Sequence, residues 1–276
     1  MTGRRDAIKQ LAAAVAVGSV TSLRELMAEV NAVPRPGVQL YTVRSEMKKS
    51  VEATLARVAK IGYREVEFAG YFDCTPAQIS AALKASGLVA PSAHIGLADM
   101  RGKWEQTLDA AAKIGHQYVV LAYLTEEERG DAEKYRRLAE EMNVAARAAK
   151  AHGLKFAYHN HDFEFAPLAG THGYDVLLAE CDPALVQFEM DLFWVTKAGK
   201  DPLDLFAAHP GRFPLVHVKD MKRDGSMTDV GSGVIPFARI FARARQAGIR
   251  HYYAEFDNPT DPFASIATSY KALRKL

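Results

Sequence analysis

Between residues 155 and 165 the chain reads KFAYHNHDFEF, an apolar run that closes on two histidines, an asparagine, an aspartate and a glutamate. Further on come VQFEMD, ending at Asp191, then LVHVKD with His217 and Lys219, then HYYAEFD with Glu255 and Asp257. Each stretch starts as apolar alternation and finishes in groups that bind cations or carry protons. Two imidazoles with two carboxylates suit manganese, cobalt, zinc or iron better than magnesium or calcium. An ion held this way acts as a Lewis acid on an oxygen that it binds. Taken singly, each residue has an ordinary explanation. His217 reads as a satisfied core histidine, Asp191 as a helix cap and Glu255 as a partner for Lys219. The chemistry depends on whether the fold brings them together.

The elements that must do so announce themselves by a repeated junction. KIGYREVEFA, ASGLVAPSAH, KIGHQYVVLAY, AHGLKFAYHN and QAGIRHYYAEF each run from a helix end through glycine into an apolar strand. Glycine just past a helix supplies the left-handed cap that turns the chain back at once. The pattern predicts strands near 37–43, 64–69, 89–94, 118–123, 155–161, 185–191, 213–219 and 250–256. Helices are expected near 50–61, 76–86, 103–115, 131–152, 173–180, 202–208, 236–247 and 262–274. Thr75-Pro76-Ala77-Gln78 reads as a capping box, and Asp201-Pro202 and Asp261-Pro262 as carboxylate caps before proline. Eight βα units in about 240 residues fit an α/β (β/α)8 TIM barrel over residues 37–276. A doubly wound sheet would want a glycine-rich phosphate loop after its first strand, and GVQLYTVRSEM has none.

In a barrel the helix-facing side of each strand is apolar, so the interleaved polar residues face inward. That parity turns Gln187, Glu189 and Asp191, His217 and Lys219, and His251, Tyr253, Glu255 and Asp257 inward. The same holds for Ala157, His159 and His161, Gln39 and Tyr41, Glu65 and Glu67, and Ser92 and His94. Active sites of this fold lie at the carboxyl ends of the strands. The last inward polar groups of four successive strands are therefore expected to meet there: His159 or His161, Asp191, His217 and Glu255. A cluster of uncompensated buried carboxylates is costly, and one divalent cation is the simplest compensation. Lys219 is placed to polarise a carbonyl or assist a leaving group.

Net charge is only +2, with no long run of one sign, which argues against nucleic acid as the main partner. An endonuclease on this barrel would also need a multi-metal ligand set. Cys74 and Cys181 form neither a zinc spacing nor a disulfide framework. Residues 1–33 open with TGRRDAIKQLAAAVAVGSV, a paired arginine followed by an uncharged run too short to span a bilayer. This resembles a twin-arginine export leader, implying a periplasmic or exported protein. An ordinary amphipathic helix, in a cytoplasmic protein, is the other reading.

YHNHDFEF, FEMDLFWVTKAGKDP, LVHVKD, GSGVIPF and YYAEFDNP, in this order, resemble the sugar phosphate isomerase/epimerase superfamily, also called xylose isomerase-like TIM barrels. The resemblance runs from about Gly37 to the end of the chain. It implies one divalent metal (manganese, cobalt or zinc) held by Glu, Asp, His and Glu from four successive late strands. Asp191, His217 and Glu255 match three of these positions. The first glutamate is missing, and His159 is the expected replacement, followed by His161 and then Glu164. Histidine-rich versions of this strand occur near inosose dehydratase-like proteins and enzymes of 3-keto sugars and glycosides.

The resemblance implies a metal-dependent isomerase or epimerase acting through an enediolate on a keto sugar, with Glu255 as ligand and base and Lys219 beside it. The same scaffold would also serve a 3-keto-glycoside lyase or hydratase, or a dehydratase. A non-catalytic sugar-binding barrel is the reading from another class. His94, Glu67, His161, Glu164 and Trp194 are expected substrate contacts, with Arg223 in the glycine-rich loop available for a phosphate. The expected partner is a small carbohydrate, with no membrane span and a possible homo-oligomer.

Overall fold

A computed structural model describes Val33 and residues 35–276. The leader expected within residues 1–33 therefore lies outside the described residues, apart from Val33. Eight parallel strands close into a barrel: β1 Pro36–Gln39, β2 Glu65–Phe68, β3 Val89–Ile95, β4 Tyr118–Leu121, β5 Lys155–His159, β6 Val186–Asp191, β7 Leu215–Val218 and β8 His251–Ala254. They pair in chain order, and β8 closes the ring against β1 with Gly37 opposite Tyr253. Glycine is required at position 37, because a Cβ there would sit 2.6 Å from the Tyr253 ring.

Strand parity holds around the ring except at the start of β3, where its register shifts against β2 between Glu65 and Glu67. Phe188 and Met190, Val216 and Val218, and Phe156 and Tyr158 pack outward into the layer between sheet and helices. Burying each such side chain contributes about 1.5–3 kcal/mol. Inside, Tyr118, Val120, Ala157, Leu215 and Tyr253 form a separate apolar plug. The Ser92 hydroxyl donates to the Tyr253 hydroxyl at 2.9 Å. This floor leaves the polar residues nearer the carboxyl ends of the strands to build the site.

Local chemistry sets the ends of the elements. Thr75 and Gln78 make the expected capping box, and Asp201 and Asp261 cap helices Pro202–Ala208 and Pro262–Leu273. Several strands stop earlier than alternation predicts. β1 ends at Gln39, whose side chain accepts the Tyr41 N–H at 3.0 Å and turns the chain into a 3-10 helix, Leu40–Val43. Tyr41 thus leaves the barrel lining for its rim. β5 ends at His159, so His161 belongs to the loop that follows. The expected helix 103–115 is preceded by a separate one, Leu97–Gly102, and the expected helix 236–247 is split into Phe237–Phe241 and Ala244–Ala247. A further helix, Leu192–Lys197, begins directly on Asp191. No helix among the described residues is long and apolar enough to cross a membrane. Cys74 and Cys181 are free thiols.

Candidate metal centre and active site

His159, Asp191, His217 and Glu255 end β5, β6, β7 and β8 and converge, each offering one ligand atom within 4.8 Å of the others. All four are buried. Each is held by one part of its side chain while another atom stays free. His159 donates its Nδ1–H to the Ala122 carbonyl at 3.3 Å, leaving Nε2. His217 donates its Nε2–H to Glu67 Oε2 at 2.6 Å, leaving Nδ1. Asp191 Oδ1 accepts the N–H groups of Phe193 and Trp194 at the start of helix Leu192–Lys197, leaving Oδ2. Those remaining atoms, together with Glu255 Oε2, are buried and have no hydrogen-bond partner among the described residues.

The contacts between them are close without being aligned as hydrogen bonds. His159 Nε2 lies 3.4 Å from Asp191 Oδ2, and His217 Nδ1 lies 3.8 Å from Asp191 Oδ2 and 2.6 Å from Glu255 Oε2. Donors that share an ion at bond lengths near 2.1 Å stand about 3.4 Å apart across a tetrahedral angle. Orphaned polar atoms in a protein interior call for an explanation. A common cation supplies one for all four, so these residues fit a divalent metal.

Three of the four are already in ligand form, whereas Glu189 and Glu255 overcome burial and raise His217, which must give up its Nδ1 proton to bind an ion. Burial, and after it the neighbouring His217, push His159 down to about 4, so it is a neutral ligand at physiological pH. Burial alone would raise Asp191 and Glu255, but Lys219 together with the neighbouring His159 and His217 overcomes it at both and holds them ionised. The Lys219 ammonium lies 3.1 Å from Asp191 Oδ2, 2.9 Å from Glu255 Oε2 and 2.8 Å from Asp257 Oδ1.

Behind His217 sits a second group, with Glu67, Glu189 and His94 lining up on its far nitrogen. His94 Nε2 contacts Glu189 at 2.7 Å and Glu67 at 3.3 Å, while the His94 and His217 rings stack with centroids 5.1 Å apart. Gln39 donates to Glu67 at 2.7 Å. Burial and then Glu189 raise Glu67, whereas His217 and His94 overcome burial and hold Glu189 low. Through Glu67 this ring fixes the tautomer of His217 that offers Nδ1 to a cation. Outer partners of that kind change metal affinity by about 10–100-fold. Glu67→Gln is accordingly expected to weaken cobalt or zinc binding by about tenfold with little loss of stability, as read by equilibrium dialysis and thermal unfolding.

The expected substrate contacts divide. His94 and His161 line a cavity of about 540 Å³ above the centre, together with His159, Lys219 and Glu255. Glu67 does not, since it lies fully buried beneath His217. Trp194 stands behind His161, ring centroids 5.4 Å apart, outside the cavity lining. Glu164 lies outside both the cavity lining and the four-residue group. The turn Phe163–Phe165 folds it inward, where it accepts from the Tyr158 hydroxyl at 2.6 Å and the His161 N–H at 2.8 Å. Arg223 is exposed on the hairpin after β7, away from the cavity. The glycine-rich loop is no phosphate cradle either, because Asp220 accepts the amides of Gly231, Gly233 and Ile235. Sequence reasoning passed over Glu189 and Asp257 as site residues, although parity had turned both inward.

Burial raises Glu164 to about 7, against the opposing pull of the Tyr158 hydroxyl and nearby amides. The unfolded chain ionises first, so the folded state loses stability as pH rises from the ordinary carboxylate range through about 7. Glutamine matches the protonated form. Glu164→Gln is expected to be near neutral at pH 4 and to stabilise by roughly 2–3 kcal/mol at pH 8. Urea unfolding at the two pH values measures the difference, and a gain equal at both would contradict the assignment.

Residues 55–276 match the xylose isomerase-like TIM barrel family, most of the described barrel. The chain belongs to this family. It is 25% identical to the inosose dehydratase of Geobacillus kaustophilus (strain HTA426) over 232 residues, 70% of this chain and 75% of that one. The inosose dehydratase of Salmonella typhimurium is 25% identical over 227 residues, 68% of this chain and 74% of that protein. A sugar phosphate isomerase/epimerase from Parabacteroides distasonis superposes with a TM-score of 0.78 at 25% identity, covering 87% of this chain and 93% of that one. The barrel therefore has similar proteins among sugar-processing enzymes, dehydratases and isomerase/epimerases alike.

Proposed function

We propose that this protein is a metal-dependent sugar enzyme that removes the proton beside a ketone and expels the substituent one carbon further on. The observation that carries the reading is the set of four convergent, buried donor atoms on His159, Asp191, His217 and Glu255, none of which makes an aligned hydrogen bond. A divalent cation bound there supplies a Lewis acid for the substrate's ketone and neighbouring hydroxyl. Glu255, ionised and on the cavity wall, is the base that takes the proton. Lys219 Nζ, also on that wall, gives a proton to the departing oxygen. Asp257 keeps the ammonium in place. His161 and His94 on the cavity wall orient the substrate.

Isomerases and epimerases share the first proton transfer but must return the proton to another carbon or the opposite face. The family resemblance implies a glutamate where this chain has His159, a second carboxylate for that purpose. Here a histidine kept neutral by burial stands in its place, leaving one carboxylate base and one ammonium acid. That pairing suits elimination, and the similarity to dehydratases agrees with it.

The test is incubation of manganese-, cobalt- or zinc-loaded protein with inosose and with 3-keto-glucosides in D2O, followed by NMR. Elimination predicts an unsaturated ketone and a released water or alcohol. Deuterium gained with no released substituent would favour epimerisation. No metal bound, and no exchange with any ketone, would leave a sugar-binding barrel.

A further inference from the structure

We infer that the cavity mouth is a second subsite, one that receives a ring carried by the substrate's leaving group, so that the substrate is a glycoside. The inference rests on the elimination reading above and narrows it. Tyr41 and Tyr123 line the cavity and are 41% and 48% exposed, the two exposed aromatic side chains among the described residues. They follow β1 and β4, three strands apart in a ring of eight, and so flank the opening.

Both rings are braced. The Arg44 guanidinium lies 3.9 Å from the Tyr41 ring centroid and is itself fixed by the Tyr41 and Asp257 carbonyls and by Asn258 Oδ1. The Arg129 guanidinium lies 4.9 Å from Tyr123 and 3.4 Å from Phe163, held by two N–H groups on the Leu124 carbonyl. His161 and Phe163 meet Tyr123 edge-on. A guanidinium stacked on an aromatic ring limits its motion. Braced aromatic faces on the wall of a reaction cavity offer a bound ring stacking or edge contacts. Their continuity with the wall that holds Lys219 and Glu255 identifies the occupant as part of the substrate itself.

Water as a leaving group has no use for such a platform, whereas a departing alcohol or phenol with a ring does. In the step served, the C–H proton goes to Glu255 and its electron pair becomes the new C=C bond. The bond to the glycosidic oxygen breaks with its electrons on oxygen, and that oxygen takes a proton from Lys219. The products are an unsaturated keto sugar and a free alcohol or phenol.

Calorimetric titration of the metal-loaded protein with methyl β-glucoside, phenyl β-glucoside and cellobiose tests the subsite without chemistry. Phenyl β-glucoside is expected to bind about tenfold tighter than the methyl compound, the size of effect that two aromatic contacts provide. Tyr41→Ala and Tyr123→Ala should each lose about threefold of that preference, and the double variant all of it, while Tyr123→Phe keeps it. A similar gain for cellobiose identifies a second sugar as the occupant, and a gain for the phenyl compound alone identifies an aryl group. Equal affinities in the wild type, a preference that survives in the double variant, or no binding of any probe would overturn the subsite. A preserved preference in a protein that turns over no ketone would instead sink the elimination reading alone.

Discussion

Asp191→Asn is expected to abolish divalent-metal binding at the proposed centre while leaving the barrel folded. The two oxygens of Asp191 have separate duties. Oδ1 accepts the N–H groups of Phe193 and Trp194 at 2.9 and 3.0 Å and starts helix Leu192–Lys197. Oδ2 faces His159 and His217 without a hydrogen-bond partner. Asparagine is as good a cap as aspartate, so helix and strand end should survive. It places an amide N–H₂, with no negative charge, where a cation needs a carboxylate oxygen. The loss of affinity should exceed the roughly 10–100-fold typical of an outer partner such as Glu67. Asp191→Ala should lose the metal and, in addition, about 1 kcal/mol for the missing cap. Elemental analysis of dialysed protein gives the first effect, and thermal unfolding in chelator gives the second. Full metal occupancy in Asp191→Asn would remove Asp191 from the ligand set and with it the proposed centre.

The separate roles of those two oxygens also show how far sequence could go. The ring of eight βα units was legible because a parallel barrel strand must be apolar toward its helices, which makes Phe188, Met190, Val216 and Val218 visible and turns Glu189, Asp191 and His217 inward. Which inward groups touch is a property of closure. Glu67 on β2 reaches His217 on β7 across the barrel, a pairing of residues 150 positions apart with no local signal. Strand ends were obscured by side chains that compete with the ladder. Gln39 captures the Tyr41 amide and lifts that ring to the rim, where it lines the mouth. Glu164 sits in the same histidine-rich stretch as His159, and spacing alone made it a plausible ligand. One turn of 3-10 helix, Phe163–Phe165, sends it instead to the Tyr158 hydroxyl. Arg223 was read as an anion ligand from its glycine-rich surroundings, but Asp220 already fills the amide cradle those glycines form.

Lys219→Met should separate the two halves of the proposed reaction. The ammonium lies within ion-pair distance of Asp191, Glu255 and Asp257, so an unaltered protein cannot show whether it neutralises charge, polarises the ketone or serves the leaving group. With metal bound, the cation balances Asp191 and Glu255, while Asp257, a quarter exposed, loses the ammonium beside its buried Oδ1. The variant then strands one carboxylate, that of Asp257, instead of three. Methionine keeps the apolar length of the side chain and removes its proton. Glu255 is untouched, so exchange of the proton beside the ketone with D2O should stay within about tenfold of wild type. Release of the substituent should fall by about 10²–10⁴-fold, the contribution of a positioned general acid. Both rates come from one NMR time course on the metal-loaded variant. If they fall together, Lys219 acts on the ketone before the leaving group departs. If neither falls, the ammonium only balances charge, and the departing oxygen must take its proton from another group on the cavity wall.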